Sequence, residues 1–481
     1  MIDDRQFIVT KDAIKKSDWK SIQLKNGFTL NYHKDLNVVS NADCSAVLLG
    51  HAWSVISATK TPEDIIKEYS AETSTERIIS DEKTWCGRYV LIVGNLLFLD
   101  ANGLLGVFYN KKKNVLSSSI RLMCDYCGEE VKTPNIHKKA HPCFVPGMYT
   151  GYDDTFRLLP SQILHLPDMV YEVRPLLPDG IVATANDAAR IQNFIDAYTL
   201  SLKNMANHFK GYQVAFALSG GKDCRTVLAV LERTGINYSV FTAEHGDISA
   251  GDIYIPKRIA KTLKRPYRFI KRRKENFSQQ RYEDFRTHTA GFSVDEDWNF
   301  HAYGQYAELP PKTIILRGGV FEMTGLYYES VYCPDGKFSI RKIYRDMDTK
   351  PDYDKAISEY MAYVEADEVN RHIGINIFDR VCWELLGGCW LSAVEQSFDM
   401  MDGIVSVQSC NSRFFMSLLM GFTDAKRLTK AHQVEITTAA CPVLGTIPYA
   451  DDDFKTFYPF IPMMKRRIAN KLFLIRQKLG L

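Results

Sequence analysis

The stretch 212–243 constrains this chain more than any other. An apolar run, YQVAFAL, leads through Ser219, Gly220 and Gly221 into a helical pattern over 225–234 that stops at Gly235, and a second apolar run, NYSVFTA, follows. Short buried strands joined by one helix are parallel neighbours, so this part of the chain is committed to an α/β sheet with helices on its faces. A further helix is expected over 252–263, with Pro256 tolerable only in its first turn, and a further strand over 313–317.

A strand that ends in two glycines and opens into a helix presents unpaired backbone N–H groups at the positive end of the helix dipole. Glycine also lets a phosphate approach the backbone closely. Asp223 adds a condition, because a carboxylate facing a polyphosphate is sensible only with a divalent cation between them. The loop is not a Walker A motif, since Lys222 is followed by Asp223 and not by Ser or Thr, and no dinucleotide GxGxxG fingerprint is present. A second glycine pair, Gly318 and Gly319, follows the strand over 313–317, with Glu322 the only carboxylate near it. Both loops are therefore expected at the carboxyl rim of one parallel sheet, where ligands bind. The plainer alternatives are a glycine turn without a ligand and a surface carboxylate at Glu322.

The 481 residues are too many for one core and imply two or three domains. The first third reads as all-β or α+β. In RYVLIVGNLLFLDANGLLGVFYN the apolar runs break at Gly94-Asn95 and again at 101–103, and both breaks are predicted as hairpin turns. The connector over 175–187 places a boundary between units 1–185 and 186–481. A formal net charge of +3 argues for no polyanionic partner. No basic region followed by an apolar one opens the chain, and the most apolar window, 89–108, is interrupted by Asn95, Asp100 and Asn102, so strands are expected there and no membrane span. Eleven cysteines without a regular framework point to reduced thiols and a cytoplasmic location.

LSGGKDCR resembles the SGGxDS pyrophosphate loop of the N-type ATP pyrophosphatases, the PP-loop family, and the preceding domain narrows the resemblance to its asparagine synthetase-like branch. The resemblance implies the fold class: α/β, an N-terminal Ntn-hydrolase-like β-sandwich (α+β) followed by a parallel-sheet, adenine nucleotide α-hydrolase-like PP-loop domain. It implies that Leu218, Ser219, Gly220 and Gly221 grip the pyrophosphate of ATP, with Lys222 and Arg225 as phosphate contacts. Cys224 stands where the family has a second Ser. Asp223 and Glu322 would hold Mg2+, and Phe241 and Thr242, within 240–243, would offer backbone groups to adenine. Gly318 and Gly319 fall where asparagine synthetases carry a GxGADE-type loop. Asp223, Glu322 and Arg225 are the candidate catalytic residues.

WCGRYVLIVGNLLFLDANGLLGVFYN with SSSIRL resembles the glutaminase domain of asparagine synthetases, which works through a Cys exposed after Met removal. Position 2 is Ile here, and Cys44 and Cys86 lie in strand-like sequence, so glutamine hydrolysis is not expected. The implied activity is an ATP-dependent amide ligase that adenylates a small-molecule, glycan or peptide carboxylate and passes the acyl group to an amine. Surface-polysaccharide or natural-product biosynthesis is the implied setting, and β-lactam synthetases and lasso-peptide cyclases share the architecture. Three alternatives stay open: a lasso-type peptide macrocyclase, an RNA-modifying PP-loop enzyme and a degenerate nucleotide-binding protein.

Other segments carry weaker readings. Cys124, Cys127, His137, His141 and Cys143 are either a zinc set or ordinary loop and core residues. The basic stretch 264–274 is a solvated strand end or a polyanion contact. Ile468, Leu472, Ile475 and Leu479 line one face of a basic terminal helix that docks on its own domain or lies on a membrane surface. Trp390, Glu395, Asp399 and Asp402, followed by Arg413, lie on or after a predicted helix on the acceptor side of the pocket. Asp295–Asp297 would form another wall. Glu395 and Asp399 are left open between surface and pocket. Oligomers are compatible with everything above.

Overall fold

The computed structural model describes residues 4–130, 145–244, 250–271, 306, 308–344, 351–401 and 403–450. Twelve strands fill the first part: β1 (Phe7–Thr10), β2 (Trp19–Gln23), β3 (Thr29–His33), β4 (Val38–Ser40), β5 (Ala46–Ser54), β6 (Trp85–Val93), β7 (Leu96–Leu99), β8 (Phe108–Asn110), β9 (Val115–Ser117), β10 (Thr155–Arg157), β11 (Gln162–His165) and β12 (Val170–Val173). They form two antiparallel six-stranded sheets, in the orders β10-β8-β9-β1-β3-β2 and β12-β11-β7-β6-β5-β4. Val9, Leu30 and Leu116 of the first sheet share one core with Val47, Leu49, Val90 and Leu97 of the second, so the sheets pack face to face.

The expected hairpin at Gly94-Asn95 joins β6 to β7, with Val93 opposite Leu96 and Gly94 at φ +55°. The second expected hairpin is corrected. Strand β8 pairs with β9 and β10, not with β7, so the segment after Leu99 crosses from one sheet to the other. Asp100 fixes that crossing, its carboxylate accepting from the backbone N–H groups of Tyr89, Asn102 and Leu104 at 3.0–3.1 Å.

The second part is built on β13 (Gln213–Ala217), β14 (Tyr238–Ala243), β15 (Tyr267–Ile270), β16 (Thr313–Arg317) and β17 (Ile404–Gln408). All pair in parallel, in the order β15-β14-β13-β16-β17. One face packs on helices Asp187–His208, Lys222–Leu231 and Ala431–Ala440 through Phe194, Val227 and Ile436. The other packs Ala215, Phe241 and Ile315 against Tyr306, Val394 and Phe398. The helix expected over 225–234 begins at Lys222, directly at the glycines. The helix expected over 252–263 spans Ala250–Thr262 and carries Pro256 beyond its first turn.

Buried polar contacts join the two parts. The Arg413 guanidinium donates to the carbonyls of Leu176 and Pro160 at 3.0 and 2.9 Å, and Trp53 Nε1 donates to Ser201 Oγ at 2.9 Å. Glu395 and Asp399 are not surface carboxylates: their exposures are 0% and 4%, on a continuous helical stretch from Cys382 to Met400. Among the described residues no helix is long and apolar enough to cross a membrane.

Candidate functional site

The chain leaves β13 toward β14 and β15, then returns to β16 on the other side of β13. The rim between β13 and β16 is thus the point where the winding reverses and the loops diverge, leaving a crevice. Both glycine loops lie there. A Cβ on Gly318 would stand 3.1 Å from Val227 Cγ2 and 3.4 Å from the Asp223 carbonyl. Glycine there lets the second loop rest closely against the start of helix Lys222–Leu231.

Gly221 is the N-cap of helix Lys222–Leu231 and makes no side-chain cap bond, and this helix start lies at the crevice. Within the loop Gly220 N donates to Asp252 Oδ1 at 2.9 Å, and Gly221 N donates to Ser219 Oγ at 3.3 Å. Ser219 Oγ lies 3.1 Å from Cys224 Sγ, whose thiol is pushed up by burial, so the sulfur braces the loop from inside. Lys222 Nζ lies 5.4 Å from the Tyr449 ring centroid.

Three residues expected at the ligand, Arg225, Phe241 and Thr242, make contacts within the protein. Arg225 is fully buried, donates to the carbonyls of Ile447, Gly220 and Pro448, and stacks 3.7 Å from the Tyr449 ring centroid. It holds the loop to the segment 447–450 instead of facing a phosphate. Phe241 and Thr242 are taken up in joining β14 to β13: Leu218 N donates to the Phe241 carbonyl at 2.9 Å, and Thr242 Oγ1 donates to the Leu218 carbonyl at 2.8 Å. That leaves Leu218 as a framework residue.

Asp223 and Glu322 do come together, and a third residue stands between them. Lys430 Nζ donates to Asp223 Oδ1 and Oδ2 at 3.1 and 2.9 Å and to Glu322 Oε1 at 3.0 Å. Burial opposes the charge of Asp223, but Lys430 outweighs it and holds this carboxyl below its ordinary range. Burial and the charge of Asp223 push Glu322 the other way, up to about 8. Burial disfavours the Lys430 ammonium too, yet the two carboxylates raise its pKa. Among the described residues Glu322 Oε2 is buried with no donor to accept from, and beside a second carboxylate a proton or a cation would satisfy it. That orphaned oxygen and its hard oxygen neighbours fit a divalent cation. Among the described residues no group of three or more His, Cys, Asp or Glu could hold a metal. Two protein carboxylates completed by phosphate oxygens and water is the way magnesium is held.

On the other side of the second loop, Gly319 N donates to Gln408 Oε1 at 2.8 Å and Gln408 Nε2 donates to Glu395 Oε1 at 2.9 Å. Arg317 Nη1 donates to the same oxygen at 2.8 Å, while Glu395 Oε2 is buried with no partner among the described residues. Trp390 packs against the apolar layer on this side of the sheet. Sequence reasoning missed Lys430, Asp252, Arg317 and Gln408 as site residues. Only Arg317 had a signal, as a charge at the end of an apolar strand.

The remaining candidates fall elsewhere. Cys124 and Cys127 sit on helix Ile120–Cys127, and His137, His141 and Cys143 lie outside the described residues. So do Asp295–Asp297, Asp402, 272–274 and the terminal stretch with Ile468, Leu472, Ile475 and Leu479. In the basic stretch Arg265 and Arg268 pair with Glu232 and Glu308 at 2.7 Å.

The chain matches no family model, and no curated protein matches its sequence. Solved structures align with parts of it. NMN synthetase from Francisella tularensis is 16% identical over 35% of this chain and 74% of that chain, at a TM-score of 0.21. The NH3-dependent NAD synthetase from Campylobacter jejuni subsp. jejuni, solved with a nitrate ion, is 13% identical over 42% and 96%, at 0.22. The glutamine-dependent NAD+ synthetase from Acinetobacter baumannii, solved with ADP, is 12% identical over 49% and 55%, at 0.21. Scores this low leave the site to be read from its own residues.

Proposed function

We propose that this protein is an ATP-dependent amide ligase that adenylates a carboxylate, releasing pyrophosphate, and passes the acyl group to an amine, releasing AMP. One observation carries the reading: two acidic residues, Asp223 and Glu322, converge from two glycine loops beside an uncapped helix start at the switch point of a parallel sheet. We take 1–185 and 186–481 as its sandwich and synthetase units.

In this reading the backbone N–H groups at the start of helix Lys222–Leu231 receive the β and γ phosphates of ATP, with Ser219 Oγ beside them. Asp223 and Glu322 would hold a magnesium ion, which would supply neutralisation of the pyrophosphate charge. A carboxylate oxygen of the substrate attacks the α phosphorus, and the bond from that phosphorus to the bridging oxygen breaks. The amine then attacks the acyl carbon, AMP departs, and the amine proton passes to solvent or to a base. Fixed donors aimed at the departing charge stabilise it without reorganisation. Holding the amine next to the acyl-adenylate contributes up to about 7–11 kcal/mol. Glutamine hydrolysis is left out because Cys86, buried in β6 with its thiol pushed up by burial, offers no thiolate. The acid substrate, of small-molecule, glycan or peptide class, would enter beside Arg317 and Trp390.

Incubation with ATP, Mg2+ and pooled carboxylates and amines tests the reading. Pyrophosphate release that depends on both pools and disappears in Asp223→Ala supports it. Nucleotide binding without release under any pool favours a degenerate binder instead, the reading to which Asp252 on Gly220 N and Lys430 between the acids lend weight.

A further inference from the structure

We propose that Lys430 is an internal counter-ion that keeps divalent metal out of the Asp223–Glu322 pair until the phosphates of a nucleotide draw its ammonium away. This rests on the reading of the site as a nucleotide site and adds to it an order of events.

Lys430 is not placed there by default backbone geometry. It lies at φ +55°, ψ +27° as the N-cap of helix Ala431–Ala440. A left-handed backbone at a residue with a Cβ is disfavoured by about 1–2 kcal/mol. Gly325 keeps the route of its side chain open: a Cβ there would stand 3.3 Å from Lys430 Cε. The ammonium meets three carboxylate oxygens within 3.1 Å. Those are the oxygens a dication would need, and an ammonium held that close repels one.

The neighbouring loop shows the same device with the opposite sign. Gly220 N, one of the amides that would meet a phosphate, donates to the Asp252 carboxylate at 2.9 Å. The chain thus holds its own cation on the acid pair and its own anion on the loop. A nucleotide with bound metal replaces both, whereas either partner alone replaces one and leaves the other in conflict with it. Phosphate arriving at the start of helix Lys222–Leu231 comes next to Asp223, and the Lys430 ammonium can exchange a carboxylate for a phosphate oxygen there. Metal and nucleotide must then bind cooperatively, each strengthening the other by the same factor.

The experiment uses the full chain, Mn2+ followed by electron paramagnetic resonance, and a non-hydrolysable ATP analogue. In the wild type, Mn2+ alone binds weakly, and the analogue tightens it by about tenfold or more, the scale of a displaced charge-assisted hydrogen bond. Lys430→Met binds Mn2+ alone at least about tenfold more tightly than the wild type and loses most of the coupling. Lys430→Arg, which keeps the charge, restores the exclusion. Equal Mn2+ affinity of wild type and Lys430→Met without nucleotide overturns the inference and leaves the nucleotide reading standing. If Lys430→Met does not fold, the wild type decides: an analogue that binds without changing Mn2+ affinity overturns the inference. Failure of the wild type to bind the analogue, with or without Mn2+, removes the nucleotide reading itself.

Discussion

The acids that join the two parts of the molecule and the acids at the rim of the parallel sheet differ in how fully their oxygens are satisfied. Asp100 accepts on both oxygens, from backbone N–H groups and from Asn411 Nδ2 at 2.8 Å. Asp399 likewise accepts Arg88 Nη1 at 2.5 Å on one oxygen, and Arg88 Nη2 and Gln6 Nε2 at 2.7 and 3.0 Å on the other. Glu322 and Glu395, at the rim, each keep one buried oxygen with no donor among the described residues. A buried acid without a partner is expensive to keep. Where the described residues complete every oxygen the acid is a fastener, and where they leave one open, as at Glu322 and Glu395, the oxygen is available to a further partner.

The largest test of that distinction is Asp399→Ala. It leaves the Arg88 guanidinium, 14% exposed, without its carboxylate, and removing one partner of a buried pair costs about 3–5 kcal/mol. Denaturant unfolding should show that loss, while nucleotide binding by the folded fraction stays as in the wild type. A loss under about 1 kcal/mol, the worth of a surface pair, would break the comparison.

Gly318→Ala acts where the two loops touch. Its methyl meets Val227 Cγ2 at 3.1 Å, and both neighbours belong to a packed helix, so overpacking of about 1–3 kcal/mol is expected. Because the same methyl pushes the second loop from the helix start, analogue binding should weaken along with stability. Calorimetry on the folded variant measures it, and unchanged affinity would mean that the loops do not act as one site.

Glu322→Gln sharpens the comparison through pH. The folded chain holds this carboxyl's proton up to about 8 against an ordinary 4.5. Its contribution is therefore full below 4.5 and is lost as pH rises through 8, because over that window the unfolded chain has already released the proton. Subtracting the variant's thermal midpoints from those of the wild type should give a difference that falls with pH across the window. His432, which burial pushes down to about 4, slopes the opposite way from 6.5 downward and cancels in the subtraction.

What the sequence made legible follows physical reach. Strands β13, β14 and β16 could be read because each is an apolar run bounded by a glycine or a charge, and local pattern decides such elements. The rim followed from them, since parallel strands bring all their carboxyl ends to one side. The partners of the rim could not be read. Lys430 is 207 residues from Asp223, and a lone lysine carries no period or motif. Arg225 was legible as a cation near phosphate only while 447–450 was out of view; its three carbonyl acceptors, two of them in that segment, turn it inward. Tertiary context also engaged the Phe241 carbonyl and the Thr242 hydroxyl, both of which meet Leu218.

The smallest expected effect belongs to Cys86, on the fastened side of the comparison. Its thiol is fully buried in β6, 3.1 Å from the Ser409 carbonyl, with burial pushing its pKa up. A thiol there is a small apolar group with a weak hydrogen bond, so Cys86→Ala should cost about 1 kcal/mol. Amide formation from a free amine should not change. Alkylation followed peptide by peptide is the sharper measurement, because attack requires the thiolate. Cys86 should label only on unfolding, well after the half-exposed Cys44. Rapid labelling of Cys86 in the folded chain would show that the region between the two parts opens to solvent, and the division between fastened and open acids would then need redrawing.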